Sequence, residues 1–177
     1  MAEPAANEAN ETQEQWRQTW PFLPFCDAEV LQKCKAYPAS NEIFICSFPK
    51  SGTTWMQNLV YTLLTNGSDR SFGQISDLTP FYEHRRTWAD SGGGLSSKIL
   101  AQTSHMPRRV FNTHLLWELL PTGSTDSRFI YVVRQGEDSM VSFFHHLSNQ
   151  VEGGFEGPFA DFFAESLSGK GAFGRWT

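Results

Sequence analysis

The segment that most constrains the fold is residues 42–67, where an apolar run, a short polar loop and a helical stretch follow one another. The run "EIFICSF" is continuous and rich in Ile and Phe, which is typical of a strand buried on both faces of a parallel sheet. After the loop, "TTWMQNLVYTLLTNG" has helical spacing and ends in Asn-Gly, a standard helix stop. The segment therefore predicts a strand, a loop and a helix, the unit from which α/β sheets are built.

The same alternation continues along the chain. "RRVFNTH" predicts a strand that ends at His114, and "RFIYVV" predicts a strand that ends at Arg134. Helices are predicted for "DAEVLQKCKAY" with Asp27 as its cap, for "GEDSMVSFFHHLSN" with acids in its first turn, and for "FEGPFADFFAESLSGK". We therefore expect an α/β fold with a mainly parallel sheet, in which ligands bind at the carboxyl ends of the strands. Lys50, His114 and Arg134 all lie at such ends.

Composition restricts the partners of such a fold. Residues 1–15 carry four glutamates and no Lys or Arg, which predicts a disordered acidic tail before one globular domain over residues 16–177. The formal net charge of −5 argues against general affinity for nucleic acid. The sequence contains no run of about 18 apolar residues, so it predicts no membrane span. The N-terminus lacks the features of a secretory signal. Three irregularly spaced cysteines favour neither a disulfide framework nor a metal site, so we expect a cytoplasmic protein.

The loop after the first strand has the composition of an anion-binding site. A loop running from a strand into a helix aims backbone N–H groups and the positive end of the helix dipole at one point, which favours phosphate or sulfate. Gly52 allows close approach of the backbone, and Lys50 adds a mobile charge. Ser51, Thr53 and Thr54 add hydroxyl donors. The alternative is a turn that uses glycine and threonine as punctuation, and the flanking strand and helix favour the anion site.

This loop differs from the phosphate-binding loop of nucleoside triphosphatases. That motif has a glycine five residues before the position of Gly52 and a lysine directly after it, where this chain has Ser47 and Thr53. Here Lys50 precedes the glycine, and no second acidic ligand for magnesium is evident in an apolar strand. We therefore expect an anion that is handled without a metal ion.

Several motifs, in order, resemble the cytosolic-type sulfotransferase family. They are "PKSGTTW" after an apolar strand, then "THL", "LLP", "YVVRQGEDSMVSFFHH" and "FADFFAESLSGK". The resemblance covers nearly the whole chain except its acidic tail. It implies a P-loop-like three-layer fold and transfer of a sulfuryl group from 3′-phosphoadenosine 5′-phosphosulfate (PAPS) to a hydroxyl or amine of a small molecule, without a metal ion.

The resemblance also implies roles for individual residues. The residues around the 5′-phosphosulfate would be Lys50, Ser51, Gly52, Thr53, Thr54 and Trp55. Arg134 and Ser142 match the family's pair on the 3′-phosphate, and a serine two turns along the helix after Arg134 can face the same pocket. His114 matches the general base that removes the acceptor's proton. Lys50 would stabilise charge on the departing oxygen.

The acceptor side is less specified. The candidate substrate-binding residues are Asn112, Thr113, His114, Phe81 and Phe144. Single aromatics such as Phe81 and Phe144 are more typical of a core, and as a group they would wall a site for a hydrophobic acceptor. The sequence indicates neither the acceptor nor the oligomeric state.

Two departures from the family leave alternatives open. Many members carry a lysine two residues before the catalytic histidine, where this chain has Asn112, and loss of one preorganised donor can slow a reaction by about 10²–10³-fold. Members also continue well beyond "GAFGRWT" with further strands, so we expect an incomplete sheet and a truncated domain. The alternatives are a non-catalytic nucleotide-binding remnant and a magnesium-dependent nucleotide kinase.

Overall fold

The structure, a computed structural model, describes residues 26–67, 73–149 and 154–168. These residues belong to two compact units, one of residues 26–67 and 73–135 and one of residues 136–149 and 154–168, and each unit is described by itself. The acidic tail expected over residues 1–15 lies outside the described residues, and the single domain expected over residues 16–177 stays a prediction.

The first unit contains four helices and three strands within the described residues. In chain order they are α1 (Ala28–Ala36), β1 (Ile43–Ser47), α2 (Thr53–Leu64), α3 (Ile75–Leu78), α4 (Ser97–Gln102), β2 (Val110–Thr113) and β3 (Arg128–Val132), with 3-10 turns at Arg85–Thr87 and Trp117–Leu119. The second unit contains α5 (Gly136–Ser148) and α6 (Phe159–Ser168).

Within the described residues the sheet is parallel, with the strand order β2-β1-β3. Cys46 on β1 is opposite Thr113 on β2, and Ser47 is opposite Val132 on β3. The predicted α/β fold with a parallel sheet is therefore confirmed. Because β1 is central, the loop that follows it lies between the ends of the two neighbouring strands.

Every residue of β1 is buried, as its continuous apolar sequence predicts. On one face, Ile43 and Ile45 pack with Val60 of α2 and Val110 of β2. On the other face, Phe44 stacks between Phe111 of β2 and Phe129 of β3, with ring centroids 5.6 and 5.0 Å away. Apolar residues on both faces of a strand require a layer on each side, and these two clusters supply them.

The second face of the sheet is closed by Tyr82 and α1. The Tyr82 ring lies edge-on to Phe44 with the centroids 5.0 Å apart, and its hydroxyl donates to the backbone carbonyl of Cys34 in α1 over 2.8 Å. Helix α1 begins at the predicted cap, where Asp27 accepts a hydrogen bond from the Val30 N–H. The first unit therefore has three layers, with α2 and α1 on opposite faces of the sheet.

The second unit is an aromatic helix pair. Helices α5 and α6 lie at the two stretches where the sequence predicts them. The rings of Phe143 and Phe162 meet edge to face at 5.7 Å, and Phe144 lies 5.3 Å from Phe159. Such pairs stabilise a helix contact beyond the area they bury.

The predicted ends of two strands are corrected. Strand β2 ends at Thr113 and strand β3 at Val132, so His114 and Arg134 lie one and two residues beyond their strands and not at the last positions. Helix α4 begins at Ser97, in a segment for which the sequence analysis predicts no helix, because the Ser96 hydroxyl accepts a hydrogen bond from the Ile99 N–H and starts a helix there. Short capped helices such as α4 lack the periodic pattern needed for prediction.

Candidate functional site

The loop between β1 and α2 is tightly bent. The Ser51 N–H donates to the Phe48 carbonyl over 3.2 Å, and both Lys50 (φ 64°) and Gly52 (φ 107°) have left-handed backbone conformations. A Cβ atom at Gly52 would meet Val132 at 3.8 Å, an ordinary contact, so the backbone angle is what requires glycine. The sequence thus bends the chain sharply at the carboxyl end of the central strand.

The bend leaves the first turn of α2 available to a ligand. Helix α2 has no side-chain cap at Gly52, and the first helical hydrogen bond runs from the Met56 N–H to the Gly52 carbonyl over 3.0 Å. The N–H groups of Thr53, Thr54 and Trp55 precede that bond and find no acceptor among the described residues. Unpaired N–H groups at the positive end of a helix dipole suit a bound phosphate or sulfate.

Ser47, the last residue of β1, contacts both the loop and the candidate base. Its Oγ lies 2.6 Å from Oγ1 of Thr53, in the first turn of α2. The same Oγ lies 3.5 Å from Nδ1 of His114. An anion held by this loop would therefore lie in the neighbourhood of the imidazole.

The imidazole of His114 is held in one tautomer. Its Nδ1 lies 2.7 Å from the carbonyl oxygen of Ser47, and since a carbonyl can only accept, Nδ1 carries the proton. Nε2 is then unprotonated in the neutral ring and can accept a proton. Burial lowers the pKa of His114 to about 4 against the partial compensation of the Ser47 bond, so the ring is neutral at physiological pH.

Glu83 anchors the end of β2 directly beneath His114. Its Oε1 accepts the backbone N–H of His114 and its Oε2 accepts the Thr113 hydroxyl, both over 2.7 Å. The residue is 1% exposed, and burial raises the pKa of its carboxyl to about 7 although these two hydrogen bonds oppose the rise.

The candidate acceptor residues of the first unit have different surroundings. The Phe81 ring lies edge-on to the His114 ring with the centroids 5.0 Å apart. Asn112 is buried, and its amide donates to the Thr79 carbonyl over 2.7 Å. Thr113 is fully buried, and its hydroxyl donates a hydrogen bond to Glu83. The structure therefore brings Phe81 next to His114 and engages the side chains of Asn112 and Thr113 in internal hydrogen bonds.

The remaining candidate residues divide between the two units. Arg134 donates from Nη1 to the carbonyl oxygen of Lys50 over 3.0 Å, so its guanidinium contacts the loop itself. Trp55 is 68% exposed on the first turn of α2. Ser142 and Phe144 lie on α5 in the second unit, where both are partly buried.

Two residues of this site are missing from the sequence prediction. The sequence analysis names Ser47 only as the residue that replaces a glycine of the nucleoside triphosphatase loop. Its position at the end of β1 is the signal that could have identified it as a site residue. Glu83 precedes its partners Thr113 and His114 by about thirty residues, and its segment has no periodic pattern, so only the tertiary contact shows it.

The described part of the chain lacks two features that would change the chemistry or the setting of this site. It contains no group of three or more His, Cys, Asp or Glu side chains arranged to hold a metal ion. None of its helices is long and apolar enough to cross a membrane.

A family model described as a sulfotransferase domain matches residues 40–177. The chain belongs to the sulfotransferase family. The resemblance seen in the ordered motifs is therefore confirmed. The matched region includes β1, the loop, His114 and Arg134.

Individual sulfotransferases match over most of this chain. Sulfotransferase 1C2 of Rattus norvegicus is 32% identical over 150 residues, which cover 82% of this chain and 48% of the rat protein. The crystal structure of mouse sulfotransferase SULT7A1 complexed with PAP matches with a TM-score of 0.63 and 27% identity, over 88% of this chain and 51% of that one. A retinol dehydratase structure with retinol and PAP, 18% identical with a TM-score of 0.52, shares the fold and covers 85% and 52% of the two chains. The chain spans about half the length of the relatives that it matches.

Proposed function

We propose that this chain binds PAPS and carries the residues for transfer of its sulfuryl group to a hydroxyl or amine of a small molecule. The observation that carries the proposal is the position of Ser47, whose hydroxyl contacts Thr53 of the anion loop and lies 3.5 Å from the imidazole of His114. Sulfuryl transfer needs an anion site and a proton acceptor next to each other, and this contact supports that arrangement. Two solved relatives were crystallised with PAP, the nucleotide that remains after transfer.

The loop residues are proposed to hold the donor. The N–H groups of Thr53, Thr54 and Trp55, with the Ser51 and Thr53 hydroxyls, would bind the sulfonated phosphate, and the Lys50 ammonium would stabilise negative charge on the departing oxygen. The exposed indole of Trp55 can stack on a base. Arg134 and Ser142 are proposed for the 3′-phosphate, and the Arg134 contact with the Lys50 carbonyl supports its place beside the loop.

His114 is proposed as the general base. Its Nδ1 proton is engaged by the Ser47 carbonyl, so Nε2 would accept the proton of the acceptor hydroxyl or amine as its oxygen or nitrogen attacks sulfur. A pKa near 4 keeps the ring in its accepting form at neutral pH. Phe81 at 5.0 Å would form part of a hydrophobic wall for the acceptor, with Phe144 from the sequence prediction. Asn112 and Thr113, also candidates from the sequence, are buried in internal hydrogen bonds and would support this wall from behind.

The setting of this reaction is also a proposal. A cytoplasmic location is supported by the three cysteines, Cys26, Cys34 and Cys46, which are buried and form no disulfide in the described residues. Neither nucleic acid nor a membrane is proposed as a partner, in line with the net charge of −5.

One observation favours the non-catalytic alternative. Asn112 stands where many family members carry a lysine, and its buried amide donates to the Thr79 carbonyl. An amide used in this way supplies no charge to a sulfuryl oxygen. A nucleotide-binding protein with slow or no turnover is therefore the second candidate.

Binding is tested by thermal unfolding with and without PAP. A ligand that binds only the folded state raises the midpoint by mass action, and we expect a rise for the native chain. Lys50→Ala should reduce the shift, whereas Lys98→Ala, which removes an exposed lysine on α4, should preserve it. No shift at saturating PAP with folded protein would contradict the proposal.

Turnover separates the alternatives. His114→Ala should abolish transfer from PAPS while retaining the PAP shift if the chain is an enzyme. Native protein that binds PAP but transfers nothing to phenolic or amine acceptors is the non-catalytic alternative. Added chelator should leave sulfuryl transfer unchanged and abolish any nucleotide kinase activity.

A further inference from the structure

Glu83 is a buried carboxylate that the proposed reaction leaves without a role. It has 1% of its surface exposed, and burial of a carboxylate is unfavourable unless its oxygens accept hydrogen bonds. The partners of this carboxylate are the Thr113 hydroxyl and the His114 N–H. Both groups lie at the end of β2, next to the proposed base. The carboxylate therefore contacts the site through the hydroxyl of Thr113 and the backbone of His114.

His114 needs an anchor outside the sheet. Strand β2 ends at Thr113, and its last register pair joins Thr113 to Cys46 of β1. The His114 N–H donates to Glu83, and the ring is held separately through Nδ1 at the Ser47 carbonyl. Backbone and ring are thus fixed at two points, and loss of the backbone anchor would change the aim of the ring.

We propose that Glu83 is a positioning residue for His114, whose carboxylate holds the end of β2 so that the imidazole keeps Nδ1 on the Ser47 carbonyl and Nε2 unprotonated. The catalytic meaning of this role rests on the proposed function. Glu83 acts through the backbone of its neighbour, and at 1% exposure its carboxylate is covered by protein on the side where a donor or acceptor would bind. Its two hydrogen bonds are the feature that matters, so the substitutions are chosen by the number of acceptors they keep.

Three substitutions remove the anchor in steps. Glu83→Gln has nearly the same shape, but it offers one acceptor oxygen and one amide donor, so it can retain the His114 N–H and must change the bond to Thr113. Glu83→Met has a similar length and no strong acceptor, so both bonds are lost. Thr113→Val removes the hydroxyl, with its bonds to Glu83 and to the Leu115 N–H, and leaves the His114 N–H bond. Glu42→Gln is the control for loss of a buried carboxylate elsewhere, since Glu42 is 4% exposed and accepts hydrogen bonds from the Tyr37 hydroxyl, the Ser40 and Asn41 N–H groups and, in an ion pair at 3.4 Å, Arg109.

The primary test identifies the tautomer of His114 by long-range ¹H–¹⁵N NMR. The sample is the full chain without ligand. The His114 signal is assigned by its absence from the spectrum of His114→Gln. We expect the Nδ1–H form in the native protein, in Glu42→Gln and largely in Thr113→Val. Glu83→Met should give a mixture of tautomers, whereas Glu83→Gln, which can retain the His114 N–H bond, should keep the Nδ1–H form largely. If Glu83→Met does not fold, Glu83→Leu replaces it, because leucine also offers no acceptor. A native pattern in the variant without an acceptor, or an equal change in Glu42→Gln, overturns the proposal.

Kinetics then tests the consequence for the reaction. In Glu83→Met we expect kcat to fall by about 10²-fold with the KM for PAPS within about threefold of native, because a misaimed base slows the chemical step and leaves binding intact. The PAP thermal shift should be native in every Glu83 variant. Absence of that shift in the native chain would contradict the proposed function and leave the NMR result valid, so the two failures are distinguishable.

Discussion

Glu83→Gln should change the pH dependence of folding stability in a defined direction. Burial raises the pKa of Glu83 to about 7 from an ordinary 4.5. Between pH 4.5 and about 7, Glu83 is therefore protonated in the folded state and ionised in the unfolded state. Stability from this group is present below pH 4.5 and is lost as the pH rises through about 7. His114 has the opposite sign, because burial lowers its pKa from 6.5 to about 4. Its contribution is present above pH 6.5 and is lost as the pH falls towards about 4.

The two contributions are of similar size. For Glu83 the gap between 4.5 and about 7 corresponds to about 3 kcal/mol. For His114 the gap between 6.5 and about 4 also corresponds to about 3 kcal/mol. Between pH 4.5 and 6.5 they nearly cancel in the native protein. Glu83→Gln removes one of them, so relative to native its free energy of unfolding should rise by about 3 kcal/mol between pH 4.5 and about 7.

The neighbours of Glu83 do not obscure this difference. The thiols of Cys26 and Cys46 have pKa values raised to about 12 by burial, and burial raises the pKa of the Cys34 thiol and the Tyr82 hydroxyl still further. All four groups are neutral over the range of the experiment. Exposed carboxylates titrate equally in native and variant protein and cancel in the comparison.

The assay is urea unfolding at fixed temperature across about pH 4 to about pH 8, with the midpoint and slope fitted at each pH. His114→Gln provides the opposite case, since its stability relative to native should fall across the same interval. The quantity to compare is the free energy of unfolding of Glu83→Gln minus that of the native protein. If this difference changes by less than about 0.5 kcal/mol over the whole pH range, the reasoning is refuted. It would mean that the Glu83 carboxyl has an ordinary pKa and is not desolvated.

Two further predictions concern the anion loop. Gly52→Ala should lower stability by about 1–2 kcal/mol, or roughly 2–8 °C in Tm, because alanine resists the left-handed angle, whereas Gly93→Ala has a negative φ and open space and should change Tm little. Trp55→Ala should reduce the PAP thermal shift while Leu63→Ala, which has the same 68% exposure on the same helix, should not. Equal Tm changes in the glycine pair would contradict the backbone requirement at Gly52, and equal PAP shifts in the second pair would contradict Trp55 as part of the ligand site.

Local signals explain what the sequence could predict. The apolar run of β1 needs burial on both faces, and its bounds follow from that run and from the glycine bend after it. The end of α2 is predicted by the Asn66-Gly67 pair, because these residue types tolerate positive φ. Both residues adopt positive φ in the structure. The rule that parallel strands end at one edge of the sheet predicts that Lys50, His114 and Arg134 lie together.

Long-range contacts explain what could not be predicted. Glu83 and Asn112 differ from solvated polar residues only through partners far along the chain, Thr113 with His114 for the first and Thr79 for the second. Arg134 could be assigned to an anion by resemblance, but its contact with the Lys50 carbonyl depends on where the loop bends. Such contacts exist only once the sheet has brought the segments together.

The strand order gives these contacts a common origin. With β1 between β2 and β3, the register that sets Cys46 opposite Thr113 also brings His114 next to Ser47, and the register that sets Ser47 opposite Val132 brings Arg134 to the Lys50 carbonyl. A one-residue slip of either neighbouring strand would turn its side chains to the other face and separate the base or the guanidinium from the loop. The aromatic stack of Phe44 with Phe111 and Phe129 opposes such a slip, because all three rings lie on one face only in this register. The packing that stabilises the sheet therefore also sets the geometry on which the proposed chemistry depends.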